Sequence, residues 1–197
     1  MVDHAITLFV ERGYVQTTMA DIASAAGVAV QTLYLRFGGK PAILAAAFDR
    51  IVAGDAEEVA IADRDWVGEL RAASSFSQAA EMLVRNARLI VERAAPLFGR
   101  IEQASADVEI AELLGESKRR KYETTGALAR ILRDKPGFDR RVSLVQTTDL
   151  LYAMASEELF RLLCLERGWS SARWESFVLA VIVEQLGEGS SQASREI

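Results

Sequence analysis

The chain has 197 residues, half of them hydrophobic, and a formal net charge of −5, so it can bury a sizeable core but is not basic enough to coat nucleic acid over its whole surface. The single cysteine, Cys164, excludes an internal disulfide and fits a reducing compartment, and the single histidine, His4, weighs against a Ser-His-Asp triad or a His-rich zinc site. We find neither an apolar run of bilayer-spanning length nor a secretory signal, and we expect a cytoplasmic protein without a membrane partner.

Short predicted helices alternate with glycines over the first 40 residues. Apolar periodicity predicts helices over residues 5–12, 19–26 and 30–37. Thr18, with Asp21 three residues later, has the pattern of a capping box at the start of the second helix. Gly27 separates the second and third helices, and a turn this tight needs a residue that tolerates a positive φ. Two short helices joined in this way predict a helix-turn-helix.

The rest of the chain predicts longer helices and shows no alternating strand pattern. The predicted helices cover residues 40–65, 76–94, 96–104, 108–133, 140–167 and 172–186, with residues 72–77 as a loop. The Lys-Pro-Gly sequence at residues 135–137 is a clear stop. The predicted fold class is all-α. It comprises an N-terminal three-helix helix-turn-helix head over residues 1–45, a C-terminal helical bundle over residues 46–188 and a flexible tail over residues 189–197.

The outer face of the third helix carries side chains that can reach bases and phosphates, namely Gln31, Thr32, Tyr34 and Arg36. Together with its surroundings, this pattern resembles the DNA-binding head of the tetracycline-repressor (TetR) family. The resemblance covers nearly all of the first 50 residues. It is carried by residues 8–14, 17–18, 21–23, 26–28 and 32–34 with Phe37, Lys40 and Leu44.

The resemblance implies a role for each candidate DNA-binding residue. Thr18 would offer its hydroxyl and amide to a phosphate at the start of the second helix. Gln31 would meet an adenine edge and Thr32 a thymine methyl in the major groove. Tyr34 would hydrogen-bond a phosphate, and Arg36 would touch the DNA backbone or a base.

Lys40 would hold a further phosphate at the start of the fourth helix. The sequence departs from the family pattern at Ala29 and Val30, where family members often have a Ser-Lys pair, so phosphate contacts should be weaker. The first 50 residues also carry four cations and four carboxylates, which sum to zero: Arg12, Arg36, Lys40, Arg50, Asp3, Glu11, Asp21 and Asp49. We therefore expect modest non-specific DNA affinity.

In the family that the resemblance names, the second part of the chain binds a ligand and forms the dimer. Candidate ligand-binding residues are Trp66, Phe76, Met82, Asn86, Phe98, Tyr122, Asp149, Met154 and Phe160. Most of them would also suit the plain core of a helical bundle. Asn86 and Asp149 interrupt apolar stripes, and each would either hold a polar group of a ligand, bond a neighbouring backbone group or face water.

The last two predicted helices carry more apolar residues than one core face needs. Two apolar faces indicate burial on two sides, one against the core and one against a second subunit. The candidate dimer residues are Leu151, Leu159, Leu162, Trp174, Val178, Val181 and Ile182. The alternative is a thicker core within a monomer.

These patterns favour a DNA-binding transcriptional regulator and not an enzyme, since one histidine, one cysteine and no Glu-x-x-His motif leave little for catalysis. We expect a repressor that binds a palindromic double-stranded operator as a homodimer and is released by a small apolar or amphipathic effector, with no cofactor and no metal. The alternatives are an activator, or a helical protein on the same fold that binds partner proteins and has weak DNA binding.

Overall fold

The computed structural model describes residues 1–53, 65–102 and 108–189, which are largely helical. The helices are α1 (Val2–Arg12), α2 (Met19–Ala26), α3 (Val30–Phe37), α4 (Lys40–Ala53), α5 (Asp65–Ala72), α6 (Phe76–Glu102), α7 (Val108–Arg133), α8 (Leu144–Met154), α9 (Glu157–Phe160) and α10 (Ser171–Leu186). These ranges contain an isolated bridge between Phe138 and Gly187 but no strand. The predicted all-α class is confirmed. No helix in the described part of the chain has the length and apolar character needed to cross a membrane.

The described residues form two compact units. The first contains residues 1–53, 93–102 and 108–117, and the second contains residues 65–92 and 118–189. The first unit therefore adds the end of α6 and the start of α7 to the head that the sequence predicts over residues 1–45. Of the predicted tail, residues 190–197 lie outside the described part of the chain.

The core of the first unit is built from one apolar face of each of its helices. Phe9 of α1, Ile22 of α2 and Leu33 of α3 are fully buried. Leu44 of α4 and Ile101 of α6 are buried in the same cluster. Because these apolar residues recur at helical spacing, each short helix turns its polar face outward.

The core of the second unit includes one stripe of α10. Trp174, Val178, Ile182 and Leu186 follow one another at intervals of four residues, and all are buried. The ring of Phe160 meets Trp174 edge-on, with 5.5 Å between ring centroids. Side chains spaced four apart lie on one side of an α-helix, so this stripe faces the interior of the unit.

Helix α6 runs without a break through Pro96, although the sequence predicts separate helices over residues 76–94 and 96–104. Proline lacks the N–H that a helix interior requires, and it normally ends or kinks a helix. Here the neighbouring Ala94, Ala95 and Leu97 are buried in the core. Their burial favours the continuous helix and offsets the missing hydrogen bond.

The single helix predicted over residues 140–167 is wrong. The chain forms α8 and α9 instead, and α9 continues as a π-helical segment over Arg161–Glu166. Ser143 and Ser156 are the N-caps of α8 and α9, and Ser143 forms a capping box with Gln146. A serine that bonds the first free amides of a helix sets where that helix begins, so each cap starts a new helix.

Helix α4 begins at Lys40 as predicted. The prediction extends this helix to residue 65, and residues 54–64 of it lie outside the described ranges. Helix α5 was not predicted, and it buries Val67 and Leu70.

Candidate nucleic-acid interface

Helix α2 begins with the capping box that the sequence predicts. The Thr18 hydroxyl oxygen accepts a hydrogen bond from the Asp21 amide at 3.1 Å. The Thr18 hydroxyl and amide both donate to the Asp21 carboxylate, at 2.6 and 2.9 Å. The side-chain bond from Thr18, followed by its backbone bond, lowers the pKa of Asp21. A phosphate bound to these Thr18 groups would therefore have to displace a carboxylate of like charge.

Gly27 forms the turn between α2 and α3. Its φ of 67° and ψ of 32° are left-handed, a conformation that costs other L-residues energy. The amide of Gly27 donates to the Ser24 carbonyl at 3.2 Å, and the amide of Val28 donates to the Ala23 carbonyl at 3.0 Å. These bonds satisfy carbonyls at the end of α2 and allow α3 to start three residues later.

The outer face of α3 is open to solvent. Gln31, Thr32, Tyr34 and Arg36 are all exposed, as the sequence predicts for groups that reach DNA. Leu35, which sequence reasoning missed, is 89% exposed. Its position could have revealed it: at about 100° per residue, Leu35 lies about 160° around the helix from the buried Leu33.

The two cations assigned to DNA contacts differ in what they touch. The Arg36 side chain is exposed, with its guanidinium 5.6 Å from the ring centroid of Phe37. The Lys40 ammonium instead donates to the carbonyls of Tyr14 and Thr17, at 2.8 and 2.9 Å. It also lies 4.1 Å from the ring centroid of Tyr14. Lys40 thus ties the start of α4 to the loop between α1 and α2.

Two further cations of the head are in ion pairs. Arg50 bonds Asp3 at 2.8 Å, and its side-chain hydrogen bond lowers the pKa of that carboxyl. Arg12 lies 3.9 Å from Asp21. Some of the opposite charges among the first 50 residues, whose net charge is zero, are therefore paired with one another. This pairing reduces the attraction of the head to phosphates.

The structure does not bring all the predicted ligand-binding residues together. Phe98 lies in the first unit, where its ring packs 5.8 Å from that of Phe48. The other eight lie in the second unit: Trp66, Phe76, Met82, Asn86, Tyr122, Asp149, Met154 and Phe160. Phe76 is buried, with its ring edge-on to Phe138. The Asn86 side-chain amide donates to the Met82 carbonyl at 2.8 Å, which is the local backbone bond weighed as an alternative to ligand binding.

Tyr122 and Asp149 are directly bonded. The Tyr122 hydroxyl donates to the Asp149 carboxylate at 2.8 Å, and this bond raises the pKa of Tyr122. The Tyr122 ring lies edge-on to Tyr152, with centroids 5.5 Å apart. Beside them, Lys121 pairs with the buried carboxylate of Glu157 on α9. These two aromatic rings and ionised groups form a polar cluster between α7 and the α8–α9 segment.

Four of the seven predicted dimer residues are buried inside the chain: Leu151, Trp174, Val178 and Ile182. They pack in the core of the second unit and leave no surface for a partner. Leu159 and Val181 are half-buried, and Leu162 is 49% exposed. Exposed apolar residues that the prediction missed include Val145, Leu165 and Phe177.

Helix α10 also carries apolar residues outside its buried stripe. Phe177 and Val181 are one turn apart on α10, and Phe177 is 40% exposed while Val181 is half-buried. The Phe177 ring is edge-on to Trp169 at 5.6 Å, and the Arg173 guanidinium lies 3.9 Å from the Trp169 ring centroid. We use the name outer apolar face for the exposed or half-buried residues Leu162, Leu165, Phe177 and Val181.

Residues 1–47 match the family model described as bacterial regulatory proteins, tetR family. Over the whole chain, the fold is similar to a protein described as a transcriptional regulator from Saccharomonospora viridis in complex with choline, at 22% identity and a TM-score of 0.69, covering 95% of each chain. It is also similar to FadR from Bacillus subtilis in complex with stearoyl-CoA, at 16% identity and a TM-score of 0.70, covering 92% of this chain and 95% of that one. A TetR-family regulator from Rhodococcus sp. gives 18% identity and a TM-score of 0.70, covering 92% and 93%. No curated protein sequence matches this chain.

Proposed function

Because residues 1–47 match the model of the tetR family of bacterial regulatory proteins, we propose that this chain is a transcriptional repressor. It binds a palindromic operator as a homodimer and leaves the operator when a small ligand binds the body. The observation that carries the proposal is the division of α3 into two faces. Leu33 is fully buried, while Gln31, Thr32 and Arg36 are exposed to solvent.

This division suits a helix that lies in the major groove. A buried inner face holds the helix on the head, and an exposed outer face presents its side chains to base edges. Gln31 has the paired donor and acceptor that recognise adenine, and the methyl group of Thr32 can contact a thymine methyl. Arg36 supplies a positive charge for a phosphate or a guanine.

A second copy of the chain would place two such heads on one duplex. The outer apolar face has residues from the π-helical segment and from α10, as expected of a helical interface that meets its own copy about a two-fold axis. A two-fold dimer reads two half-sites of opposite direction, so the operator is palindromic.

Release by a ligand is supported by the ligands of two structural relatives. Choline is bound by the Saccharomonospora viridis protein and stearoyl-CoA by the Bacillus subtilis FadR. Both ligands combine a polar or charged group with apolar carbon. The second unit of this chain contains both kinds of side chain, the aromatic Phe76 and Phe160 and the polar pair of Tyr122 and Asp149. The ligand lowers operator affinity only if it binds better to the form of the dimer that does not fit DNA.

The test is selection of DNA from a library of random duplexes with the purified full chain. We expect enrichment of one palindromic sequence, bound more weakly at higher salt. The double variant Gln31→Ala, Tyr34→Ala should lose this preference. Val15→Ala is the matched control, because Val15 is an exposed apolar residue of the head outside α3, and this variant should keep the preference.

Failure to enrich any sequence would reject the proposal. It would favour a helical protein that binds partner proteins, the alternative that the neutral head leaves open. If a sequence is enriched, a reporter gene placed behind it separates a repressor from an activator, since deletion of the regulator raises expression only in the first case.

A further inference from the structure

We infer that Leu35 reads a thymine methyl group in each half-site of the operator. The inference rests on the proposed DNA binding and adds a determinant of sequence preference to it. Leu35 is 89% exposed on α3, a helix of eight residues. The core role in this helix belongs to Leu33, which is fully buried.

Leu35 lies among the residues that face the groove. At about 100° per residue, it is about 40° around the helix from Gln31 and about 60° from Thr32. It is also one turn from Gln31 along the axis, so the two side chains are neighbours. Whatever surface meets Gln31 and Thr32 therefore also meets Leu35.

The leucine side chain is purely apolar, which limits the chemical groups that it can recognise. It has no donor or acceptor, so it can bond neither a base edge nor a phosphate. The methyl group at C5 of thymine is the apolar feature that a base presents in the major groove. Covering this methyl with Leu35 would remove both apolar surfaces from water, whereas a cytosine at the same place would offer only C–H.

The experiment uses the duplex selected from the random library and replaces its thymines with uracil one position at a time. Uracil keeps the hydrogen-bonding groups of thymine and lacks only the methyl. Besides any position that Thr32 contacts, we expect one position per half-site where this change weakens binding of the wild-type chain about fourfold, the effect of one buried methyl group. Leu35→Ala should bind the thymine duplex more weakly and be indifferent to uracil at that position.

Val15→Ala is again the control, and it should respond to uracil as the wild type does. Because Leu35 is exposed, Leu35→Ala should melt at the same temperature as the wild type, so a loss of binding is not a loss of fold. The inference is overturned if the wild type is indifferent to uracil everywhere, or if Leu35→Ala keeps the full uracil effect. In both cases specific binding remains, which distinguishes this failure from failure of the proposed function.

Discussion

Asp21 accepts hydrogen bonds from both the hydroxyl and the backbone amide of Thr18. The pair starts α2, and it also places a carboxylate where the family resemblance expects a phosphate. Asp21 therefore stabilises the helix but weakens DNA binding. An acidic group near the first turn favours the helix, while the same charge repels DNA.

We predict that Asp21→Asn binds DNA several-fold more tightly than the wild type at low salt. The amide keeps a hydrogen-bonding oxygen for Thr18 but removes the negative charge. Weakening of the cap should cost about 0.5–1 kcal/mol of folding free energy. Fluorescence anisotropy with a labelled duplex measures the first effect, and urea unfolding measures the second.

Glu11→Gln is the control for charge alone, because Glu11 is an exposed carboxylate of α1 in the same head. It should tighten binding less than Asp21→Asn does. Equal gains from the two variants would show that net charge matters and that the Thr18–Asp21 pair does not.

Two glycines should respond in opposite ways to replacement by alanine. A methyl group at either Gly27 or Gly68 would meet no atom within 4 Å, so crowding is absent at both. Gly27 has a φ of +67° and Gly68 lies inside α5. Gly27→Ala should destabilise the chain by about 1–2 kcal/mol, and Gly68→Ala should stabilise it by about 0.5–1 kcal/mol.

Urea unfolding of the two alanine variants tests this directly, with Gly27→Asn as a third sample. Asparagine tolerates the left-handed region better than alanine, so it should recover part of the loss. A Gly27→Ala variant as stable as the wild type would contradict the role given to the turn.

Substitutions at the exposed and at the buried apolar residues of α10 should have different effects on assembly. Phe177→Arg places a charge on the outer apolar face and should turn a dimer into a folded monomer, as measured by light scattering on a sizing column. Trp174→Ala should instead destabilise the chain by about 3–5 kcal/mol, because Trp174 is fully buried. Val15→Arg, a change at an exposed apolar residue of the first unit, should leave the mass of the particle unchanged. A Phe177→Arg variant that remains dimeric would place the interface elsewhere.

Asp139 should make folding stability sensitive to acid. Its buried carboxylate accepts hydrogen bonds from the Arg141 side chain at 2.7 and 2.9 Å, which lower its pKa to about 2. Since the folded pKa lies below the ordinary value of 3.8, the stabilisation is complete above about pH 4 and is lost as the pH falls towards 2.

Asp139→Asn should therefore lower the urea midpoint at pH 7 and shrink the difference between pH 7 and pH 3. Asp134 is the control, since it is exposed and lies 4.0 Å from Arg140. Asp134→Asn should change neither quantity appreciably. If Asp139→Asn keeps the wild-type loss between pH 7 and pH 3, the Asp139–Arg141 pair is not its source.

The sequence predicts the head more accurately than the body, for a physical reason. The start of α2 depends on the side-chain cap at Thr18, and its end depends on the left-handed residue Gly27. Both signals are local, so a few neighbouring residues of the sequence reveal them. The predicted bounds of α2 and α3 agree with the structure. The continuous helix through Pro96 depends instead on burial by distant parts of the chain, which no local pattern reveals.

The same limit applies to the functional residues. Periodicity shows that α10 has apolar residues on more than one side, but it does not say which of them the chain itself buries. Trp174 and Val178 were predicted for the dimer interface, and the structure buries them in the core of the second unit. The ion pair of Lys121 with Glu157 joins residues 36 positions apart, beyond the reach of helical spacing. The exposed position of Leu35 could have been predicted, because its place opposite Leu33 follows from the helical repeat alone.

The most direct test of DNA reading by the outer face of α3 is a titration of the selected operator with the wild-type chain and with Gln31→Ala. We expect saturable binding with two chains per duplex. We also expect a marked preference over a scrambled duplex and at least a fivefold loss in Gln31→Ala, the effect of about 1 kcal/mol from a lost base contact. Equal affinity of the wild type for operator and scrambled duplex, or an unchanged affinity in Gln31→Ala, would contradict this function of α3.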